Sequence, residues 1–257
     1  MCRVRSPTAD QSTAEVLELG VHASNVPATS NSQPLPCKNG GVGEGLFGGF
    51  DDDARRALWS HMRRRRFTRG EVIFHEGDPG DSLHHIVKGH VTVKTSTPRG
   101  DQAILRVLGP DDAFGEFALI SPAPRAATVT ALEPTETMVL DRESFAALRR
   151  ERPSVDDFLI TASVAEVRRL SAALVEALYL PVDTRVMRRV NELFELYRNG
   201  GTTTCVPLGQ DEIAQLAGVT RQTVNKVLAK AQQDGALRIE RGRLEILDAD
   251  EIRRRCR

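Results

Sequence analysis

The chain has 257 residues, and its 35 Lys and Arg side chains are balanced by 35 Asp and Glu side chains. This length suits two domains of ordinary size, and the neutral total excludes a strong overall field for nucleic acid or for an anionic membrane. No apolar run reaches the ~20 residues of a membrane span, and the N-terminus lacks the apolar core of a signal peptide. We therefore expect a cytoplasmic protein with no membrane partner, whose basic surface, if any, is local.

Residues 1–45 are rich in Ser, Thr, Pro, Asn and Gly and show no apolar period. Such a segment cannot offset the entropy of ordering, so we predict a flexible tail over 1–45. The four cysteines, Cys2, Cys37, Cys205 and Cys256, form no C-x-x-C pair and have no histidine at metal spacing. We expect reduced thiols rather than a metal site or an Fe–S cluster.

Residues 46–153 begin with a short helix, predicted over 51–63, and continue as strand-length runs separated by Gly, Pro and Asp. The runs are EVIF, LHHIV, HVTVKT and AILRVL. Strands this short and this regularly interrupted predict an antiparallel sandwich or barrel. With the helices that follow, we expect an α+β protein whose 46–153 region is a jelly-roll-like antiparallel β-barrel.

Residues 154–180 have apolar positions at alternating spacings of four and three. The seam consists of Ile160, Val164, Val167, Ser171, Leu174 and Leu178. This narrow seam is typical of a helix that pairs with another helix, most simply its own copy, so we predict a dimerisation helix over 154–180. The Ser171 hydroxyl could set the register, bond back to its own helix or contact a ligand.

Residues 181–257 begin with a helix predicted over 183–198 and contain the pattern of a helix-turn-helix. Ile213 and Ala214 lie on the inner face of one helix, Gly218 supplies the turn, and Thr220 caps the next helix. A hairpin turning at 241–242 follows. The order of these features predicts a winged helix-turn-helix domain over 181–257.

The second helix of this motif begins with outward, donor-rich side chains suited to base edges and phosphates. They are Arg221, Gln222, Asn225 and Lys226. Residues 217–243 hold six Lys or Arg against two acidic residues, and phosphate attraction dominates affinity for DNA. A packed helical pair with a solvated face is the alternative, but the glycine turn, the cap and the basic hairpin favour DNA binding.

The stretch 114–133, FGEFALISPAPRAATVTALE, has the composition of half-buried strands, yet it carries two opposite charges, Glu116 and Arg125, before the Glu133 at its end. Burying Glu116 or Arg125 unpaired costs several kcal/mol, so each must face water, the other charge or a ligand. A guanidinium fork suits phosphate oxygens, and amides among small residues form an anion nest. We interpret the two charges as a binding clamp rather than as catalytic machinery.

A short-stranded barrel, a dimer-type helix and a winged helix-turn-helix, in that order, resemble the CRP/FNR (cAMP receptor protein / fumarate-nitrate regulator) family of bacterial transcription factors. Three motifs carry the resemblance, which covers about 46–247: IFHEGDPGDSLHHIVKGHVTV, FGEFALISPAPRAATV and the helix-turn-helix with TRQTVNKVL. The second motif also resembles the phosphate-binding cassette of eukaryotic cyclic-nucleotide domains. The resemblance implies a homodimer that binds a cyclic nucleotide and a palindromic double-stranded DNA operator, with RNA polymerase as a further partner and no enzymatic activity.

For the nucleotide site, the resemblance implies that Glu116 accepts a hydrogen bond from the ribose 2′-hydroxyl and that Arg125 pairs with the cyclic phosphate. The expected binding residues are Gly115, Glu116, Phe117, Arg125, Ala126, Ala127 and Ser171. Ala126 favours cAMP over cGMP, because a hydroxyl residue at that position often accompanies cGMP selectivity. Leu170 and Ser171 stand where family members often present a Thr-Ser pair to the adenine. The missing Thr keeps open an alternative in which cAMP is only weakly coupled to DNA affinity.

For the DNA site, the resemblance implies that Arg221 reads a guanine and that Lys226 makes a later base contact. Gln222 replaces a Glu that contacts a cytosine amino group, so the half-site need not be TGTGA. The expected DNA-binding residues are Gln210, Thr220, Arg221, Gln222, Thr223, Asn225 and Lys226, with Gln210 and Thr220 at phosphates.

Other interpretations stay open from the sequence. The sensor could be a redox or haem switch that uses the cysteines or the histidines of the barrel, which are His75, His84, His85 and His90. The barrel could also be a regulatory module of an enzyme, as in kinase regulatory subunits. The run Arg63 to Arg66 could contact nucleic acid or polymerase, although a solvated edge is the favoured interpretation.

Overall fold

The computed structural model describes residues 52–96, 100–152, 155–198 and 204–257, so the predicted tail over 1–45 lies outside the described residues. The helices are α1 Asp52–Ser60, α2 Phe117–Ile120, α3 Arg142–Glu151, α4 Val155–Tyr179, α5 Val182–Arg198, α6 Gln210–Ala217, α7 Arg221–Gln233 and α8 Ala249–Arg254. The strands are β1 Arg63–Phe67, β2 Val72–Phe74, β3 Ser82–Lys88, β4 Val91–Ser96, β5 Gln102–Leu108, β6 Ala113–Phe114, β7 Thr128–Ala131, β8 Thr135–Asp141, β9 Cys205–Val206, β10 Leu237–Glu240 and β11 Arg243–Ile246.

The first eight strands form two antiparallel sheets, which we call, together with α1 to α3, the sheet domain. One sheet has the order β1-β8-β3-β6 and the other the order β2-β7-β4-β5. The two sheets share a core that includes Ile86 of β3, Val91 of β4 and Val129 of β7. The expected jelly-roll-like architecture is confirmed, but the described strands form two facing sheets rather than a closed barrel.

The arginine run at the start of the sheet domain is an edge strand. Residues Arg63–Phe67 pair antiparallel with β8, from Arg63 opposite Val139 to Phe67 opposite Thr135. Arg64 and Arg66 both reach the carboxylate of Glu136, at 3.0 and 3.1 Å. The predicted helix over 51–63 is therefore shorter and ends at Ser60, because the chain from Arg63 onward is used for strand pairing.

The helix α4 presents one face to its own chain and one to solvent. Val155 and Leu159 of the first face are buried in a core that they share with α1 and α3. The predicted seam lies on the other face, where Val164, Val167 and Leu178 are 47%, 62% and 65% exposed. No helix in the described ranges is both long and apolar enough to cross a membrane.

The C-terminal domain, which comprises α5 to α8 with β9 to β11, has its own buried core. Gly218 ends α6 in the left-handed conformation at φ 64°, and the Thr220 hydroxyl caps α7 by accepting from the Thr223 amide at 3.2 Å. β10 and β11 form the predicted hairpin, and β9 completes a three-stranded sheet. The helix-turn-helix and its wing are thus confirmed at the predicted residues.

The sheet domain and the C-terminal domain are in direct contact. Val107 of β5 and Leu132 pack against the C-terminal core, and the His90 ring stacks on Tyr197 with centroids 4.0 Å apart. A Cβ at Gly109 would lie 3.0 Å from Leu196 and 2.9 Å from the His90 ring, so a larger residue would displace these side chains at the junction. These contacts place α6 against β5.

Two glycines of the sheet domain separate two reasons why alanine would destabilise the fold: a steric clash of its Cβ, and a positive φ that alanine rarely adopts. Gly89 and Gly70 both have positive φ, at 88° and 81°. A Cβ at Gly89 would lie 2.6 Å from the Thr135 hydroxyl, whereas a Cβ at Gly70 would meet nothing within 4 Å. We expect Gly70→Ala to lower the free energy of unfolding by about 1 kcal/mol and Gly89→Ala by roughly 2–4 kcal/mol.

Urea unfolding followed by the fluorescence of Trp59, the single tryptophan, measures both changes. Trp59 packs against the core of the sheet domain, so its signal reports on this domain. Equal losses for the two variants would contradict the clash at Gly89.

Candidate functional site

The stretch 114–133 is not continuous strand, because Phe117–Ile120 form the short helix α2. Gly115 has φ 80° and connects β6 to Glu116, which directly precedes this helix. Arg125 lies in the loop before β7, where its amide donates to the Asp78 carbonyl at 2.8 Å. The turn residues around α2 therefore bring Glu116 and Arg125 to the same end of the sheet domain.

The guanidinium of Arg125 is buried and held from several sides. Its Nη1 donates to the Ser82 carbonyl at 2.7 Å and to the Gly115 carbonyl at 3.3 Å, and its Nη2 donates to the Ser82 hydroxyl at 3.0 Å. The Asp81 carboxylate is 3.5 Å away, and the Phe74 ring lies beneath the guanidinium at 4.0 Å. A charge with a 5% exposed side chain is thus fixed in one position.

Two features of the structure around Arg125 suit a small anionic ligand. Arg125 Nε is buried and has no hydrogen-bond partner in the described part of the chain, so one donor of the fork is unsatisfied. A Cβ at Gly115 would lie 2.6 Å from Arg125 Nη1, so only glycine permits this approach. The small residues Ala126 and Ala127 follow Arg125 directly in the chain.

Glu116 does not form an ion pair with Arg125 among the described residues. Burial raises the pKa of the Glu116 carboxyl; its own backbone amide lowers it, and the nearby Glu166 carboxylate raises it further. Arg106 and Arg125 lower the pKa of Glu116, as smaller causes. Burial also lowers the pKa of Arg125, whereas the nearby Asp81 carboxylate raises it. The half-buried Glu116 carboxylate therefore has no salt bridge within the described residues, and the groups that favour its charge do not outweigh its desolvation.

Several residues that hold this site were missed by sequence reasoning. Asp81 ends the Gly- and Asp-rich segment that separates two strand runs, and Ser82 begins β3. Arg142 donates to the carbonyls of Ala118 and Gly80, at 2.6 Å each, and so ties α2 to the turn before β3. Only the polar composition of that turn could have suggested a role beyond the turn itself.

Ser171 lies on the outward face of α4. Its hydroxyl donates to the Val167 carbonyl at 2.9 Å, so the side chain is satisfied by its own helix. Leu170 is 51% exposed on the same side. The single chain therefore does not bring these two residues into contact with Glu116 or Arg125.

Another expected binding residue, Phe117, is 48% exposed at the start of α2.

The predicted DNA-binding residues lie together on the C-terminal domain. Arg221, Gln222, Asn225 and Lys226 are exposed at the start of α7, next to the Thr220 cap. Gln210 is the first residue of α6, and Thr223 bonds to Thr220 through both amide and hydroxyl. Arg221 pairs with Asp211 at 3.0 Å.

A cavity of about 590 Å³ adjoins this surface rather than the Glu116 site. Arg221, Arg241 and Arg243 line it from the C-terminal domain, and Arg69 lines it from the sheet domain. The acidic residues Asp211, Glu212 and Glu240 also line this cavity, so charges of both signs from the two domains meet there.

The buried histidines of the sheet domain have packing roles. His84 stacks on Phe114 at 5.0 Å, and burial lowers the pKa of His84 to about 3, with a further contribution from Arg125. His85 meets the edge of Trp59 at 5.1 Å, and His90 Nδ1 bonds to Glu133 at 2.5 Å. Within the described ranges, no three His, Cys, Asp or Glu side chains converge as a metal site.

Comparison with known proteins agrees with this geometry. Residues 64–152 match the cyclic nucleotide-binding domain, and residues 184–255 match the Crp-like helix-turn-helix domain. These two domains in one chain define a class of regulator that joins a cyclic-nucleotide sensor to a DNA-binding domain.

Two curated relatives extend over most of the chain. The CRP-like cAMP-activated global transcriptional regulator of Mycobacterium tuberculosis is 32% identical over 216 residues, which cover 83% of this chain and 96% of that protein. The cyclic AMP receptor protein of Thermus thermophilus is 32% identical over 207 residues, 80% of this chain and 94% of that protein. The chain belongs to the CRP/FNR family, whose members are transcription regulators and not enzymes.

The fold is also shared with solved structures. FixK2 from Bradyrhizobium japonicum superposes with a TM-score of 0.65 at 18% identity, over 75% of this chain and 96% of that one. At this identity the likeness shows the fold alone.

The burial of Glu116 leads to a prediction with a defined sign. Because the folded state raises its pKa above 4.5, the ionised carboxylate costs stability at neutral pH, and this cost disappears as the pH falls through the raised pKa. We expect Glu116→Gln to raise the melting temperature of the nucleotide-free protein at pH 7 by a few degrees. The difference from wild type should shrink as the pH is lowered towards 4.5.

Glu71→Gln serves as the control of opposite sign, measured by the same calorimetry. Glu71 accepts from the amide and hydroxyl of Thr68, which lowers its pKa, so its charge stabilises the fold at neutral pH. This variant should melt lower at pH 7 and approach wild type in acid. A lower melting temperature for Glu116→Gln at pH 7 would contradict the assigned cost.

Proposed function

We propose that the protein is a cytoplasmic, homodimeric transcription regulator that binds cAMP in the sheet domain and a palindromic DNA site through α6 and α7. In this proposal residues 46–153 are the sensor, 154–180 the dimerisation helix and 181–257 the DNA-binding domain, preceded by a tail over 1–45. RNA polymerase is a further partner.

The observation that carries the nucleotide proposal is the fixed position of Arg125. Its guanidinium is already oriented by Ser82 and Phe74, so little side-chain entropy remains to be lost on binding a phosphate. The unsatisfied Nε and the adjacent amides of Ala126 and Ala127 supply donors for the cyclic phosphate. Glu116 accepts the ribose 2′-hydroxyl, and Gly115 and Phe117 complete the ribose side.

The choice of cAMP rests on two arguments. The relatives from M. tuberculosis and T. thermophilus bear names that specify cAMP, and they are similar over most of this chain. Ala126 lacks the hydroxyl that often accompanies cGMP selectivity. cGMP is the competing ligand that a binding experiment has to include.

The dimer proposal rests on the outward face of α4. Its apolar side chains run from Ile160 to Leu178 and are 47–65% exposed. Apolar stripes of this length rarely stay in water, and their spacing matches a helix pair. Two copies related by a two-fold axis would present two α7 helices to a palindromic site. Nucleotide binding beside α4 would then shift an existing equilibrium between two arrangements of the pair.

The DNA contacts follow from the exposed start of α7. Arg221 and Lys226 supply donors for guanine and for phosphates, whereas Gln222 and Asn225 each carry a donor and an acceptor that suit adenine. Gln210, Thr220 and Thr223 lie at helix N-termini, where backbone amides attract phosphates. Arg221 must exchange its bond with Asp211 for DNA.

The test is a titration of cAMP and cGMP into the full chain, with and without a selected DNA site. Wild type should bind cAMP more tightly than cGMP, and cAMP should raise its affinity for DNA. Arg125→Leu should lower cAMP affinity by more than 100-fold, because charged hydrogen bonds of ~1.5–3 kcal/mol each are lost.

The double variant Arg221→Ala/Lys226→Ala is the matched control, since it should lose DNA binding and salt dependence but keep cAMP affinity. Unchanged cAMP affinity in Arg125→Leu would refute the site. Tight cAMP binding without an effect on DNA affinity would identify a weakly coupled sensor.

A second experiment addresses the dimer. Val167→Glu should weaken dimerisation by about 100-fold or more, because two unpaired carboxylates would be buried in the helix pair. Ala172→Glu adds the same charge at another exposed position of α4 and should leave the dimer intact. Sedimentation velocity over a range of concentrations distinguishes the two outcomes, and an unaffected Val167→Glu dimer would exclude this face.

A further inference from the structure

The connection between α4 and the C-terminal domain is only two residues long. α4 ends at Tyr179 and α5 begins at Val182, with Leu180 and Pro181 between them. A proline disfavours the helical conformation at the residue before it and has no amide hydrogen to donate, so the two helices do not continue as one. The relative direction of α4 and α5 therefore depends on contacts outside the connection itself.

Apolar packing does not supply these contacts in the described part of the chain. The buried core of the C-terminal domain, with the apolar side chains packed against it, includes residues of the sheet domain but none of α4. The outward apolar side chains of α4, from Ile160 to Leu178, stand in solvent. Within the described residues, α4 is therefore joined to the C-terminal domain by polar side chains and by the chain itself.

The carboxylate of Glu176 makes these polar contacts. Its Oε1 accepts from Arg188 Nη1 at 2.7 Å, and its Oε2 accepts from Arg189 Nη2. The Glu176 side chain is only 12% exposed, so both contacts are weakly screened by salt. Because the two oxygens hold two successive arginines of α5, the bridge constrains both the distance between the helices and their relative rotation.

Arg188 carries this bridge further into the C-terminal domain. Its Nε donates to the carbonyl of Cys256, which follows α8, at 2.9 Å. Ile252 of α8 belongs to the same buried core as Val224 of α7. A displacement of Glu176 is therefore transmitted to the domain that carries the reading helix.

The N-terminal end of α4 is packed next to the nucleotide site. The helix α2, which begins directly after Glu116, contributes Leu119 to a buried core that also holds Val155 and Leu159 of α4. Buried cores are close-packed, so a displacement of α2 has to be accommodated by α4. The helix α4 thus contacts the sensor near its beginning and the C-terminal domain near its end.

We propose that Glu176 couples the nucleotide site to the DNA-binding surface, because its bridge makes the C-terminal domain follow α4 when a bound nucleotide displaces α2. The inference rests on the proposed function. Glu176 touches neither ligand and is a positioning residue. Without the bridge, α4 and the C-terminal domain can turn independently about Leu180 and Pro181. Each ligand then still binds, but cAMP no longer raises the affinity for DNA.

The test measures the affinity of the full-length wild type and of Glu176→Gln for a selected DNA site, with and without saturating cAMP. The coupling ratio of these two affinities should fall by about fivefold or more in the variant. The affinity for cAMP without DNA should stay near the wild-type value. A merely structural role would lower the melting temperature and leave the coupling ratio unchanged.

The variant should fold, because both arginines keep other partners. Arg189 keeps Glu192 at 2.6 Å, and Arg188 keeps the Cys256 carbonyl. Arg189→Gln removes one of the two contacts from the α5 side and provides a second variant, in which the coupling ratio should also fall. In the double variant the two effects should add to less than their sum, because both act on one contact.

Glu195→Gln is the matched control. Glu195 pairs with Arg253 at 2.8 Å and so joins α5 to α8 within the C-terminal domain. This variant removes a contact between a carboxylate and an arginine without affecting α4, and it should keep the wild-type coupling ratio.

A wild-type coupling ratio in folded Glu176→Gln or Arg189→Gln, or an equal fall in Glu195→Gln, overturns this inference alone. If cAMP does not change the DNA affinity of the wild type, the proposed regulation fails, and this inference fails with it.

Discussion

One face of the helix α4 contacts both the sheet domain and the C-terminal domain, and this constraint organises the rest of the protein. On one face Glu166 contacts Arg106 of the sheet domain, and Glu176 contacts arginines of α5 in the C-terminal domain. On the opposite face an apolar stripe that includes Val167 and Leu178 stands in solvent. Because one continuous helix of 25 residues carries both faces, any displacement of the helix also moves its charged contacts with both domains.

The two charges of the nucleotide site are handled differently by the fold. Arg125 is buried but satisfied by carbonyls, a hydroxyl and an aromatic ring, so its position hardly depends on a ligand. Glu116 is half-buried with few compensating partners, and desolvation is the main cause of its raised pKa. Sites that must accept a polar ligand often retain such a cost in the free protein. In the proposed function, the same imbalance would favour a ribose hydroxyl as a partner for Glu116.

The junction between the two domains shapes the DNA-binding surface. The stacking of His90 on Tyr197 and the apolar contact of Val107 hold the C-terminal domain against the sheets. In this arrangement Arg69 of the sheet domain and Arg221 of α7 line one cavity, together with acidic residues such as Asp211. A rotation of the C-terminal domain relative to the sheets would separate Arg69 from Arg221 and so change the charges around this cavity.

The sequence by itself determined the elements that depend on neighbours in the chain, such as the helix-turn-helix, whose cap at Thr220 and turn at Gly218 act within a few residues. It also determined the family and the two charges of the cassette. It did not determine that Arg63–Phe67 is a strand or that α2 interrupts 114–133, because pairing with β8 and packing on the sheets override local preference. Only the tertiary structure decided which charges meet: Arg125 and Ser82 are 43 residues apart in the chain, and the fold of the two sheets brings them into hydrogen-bond contact.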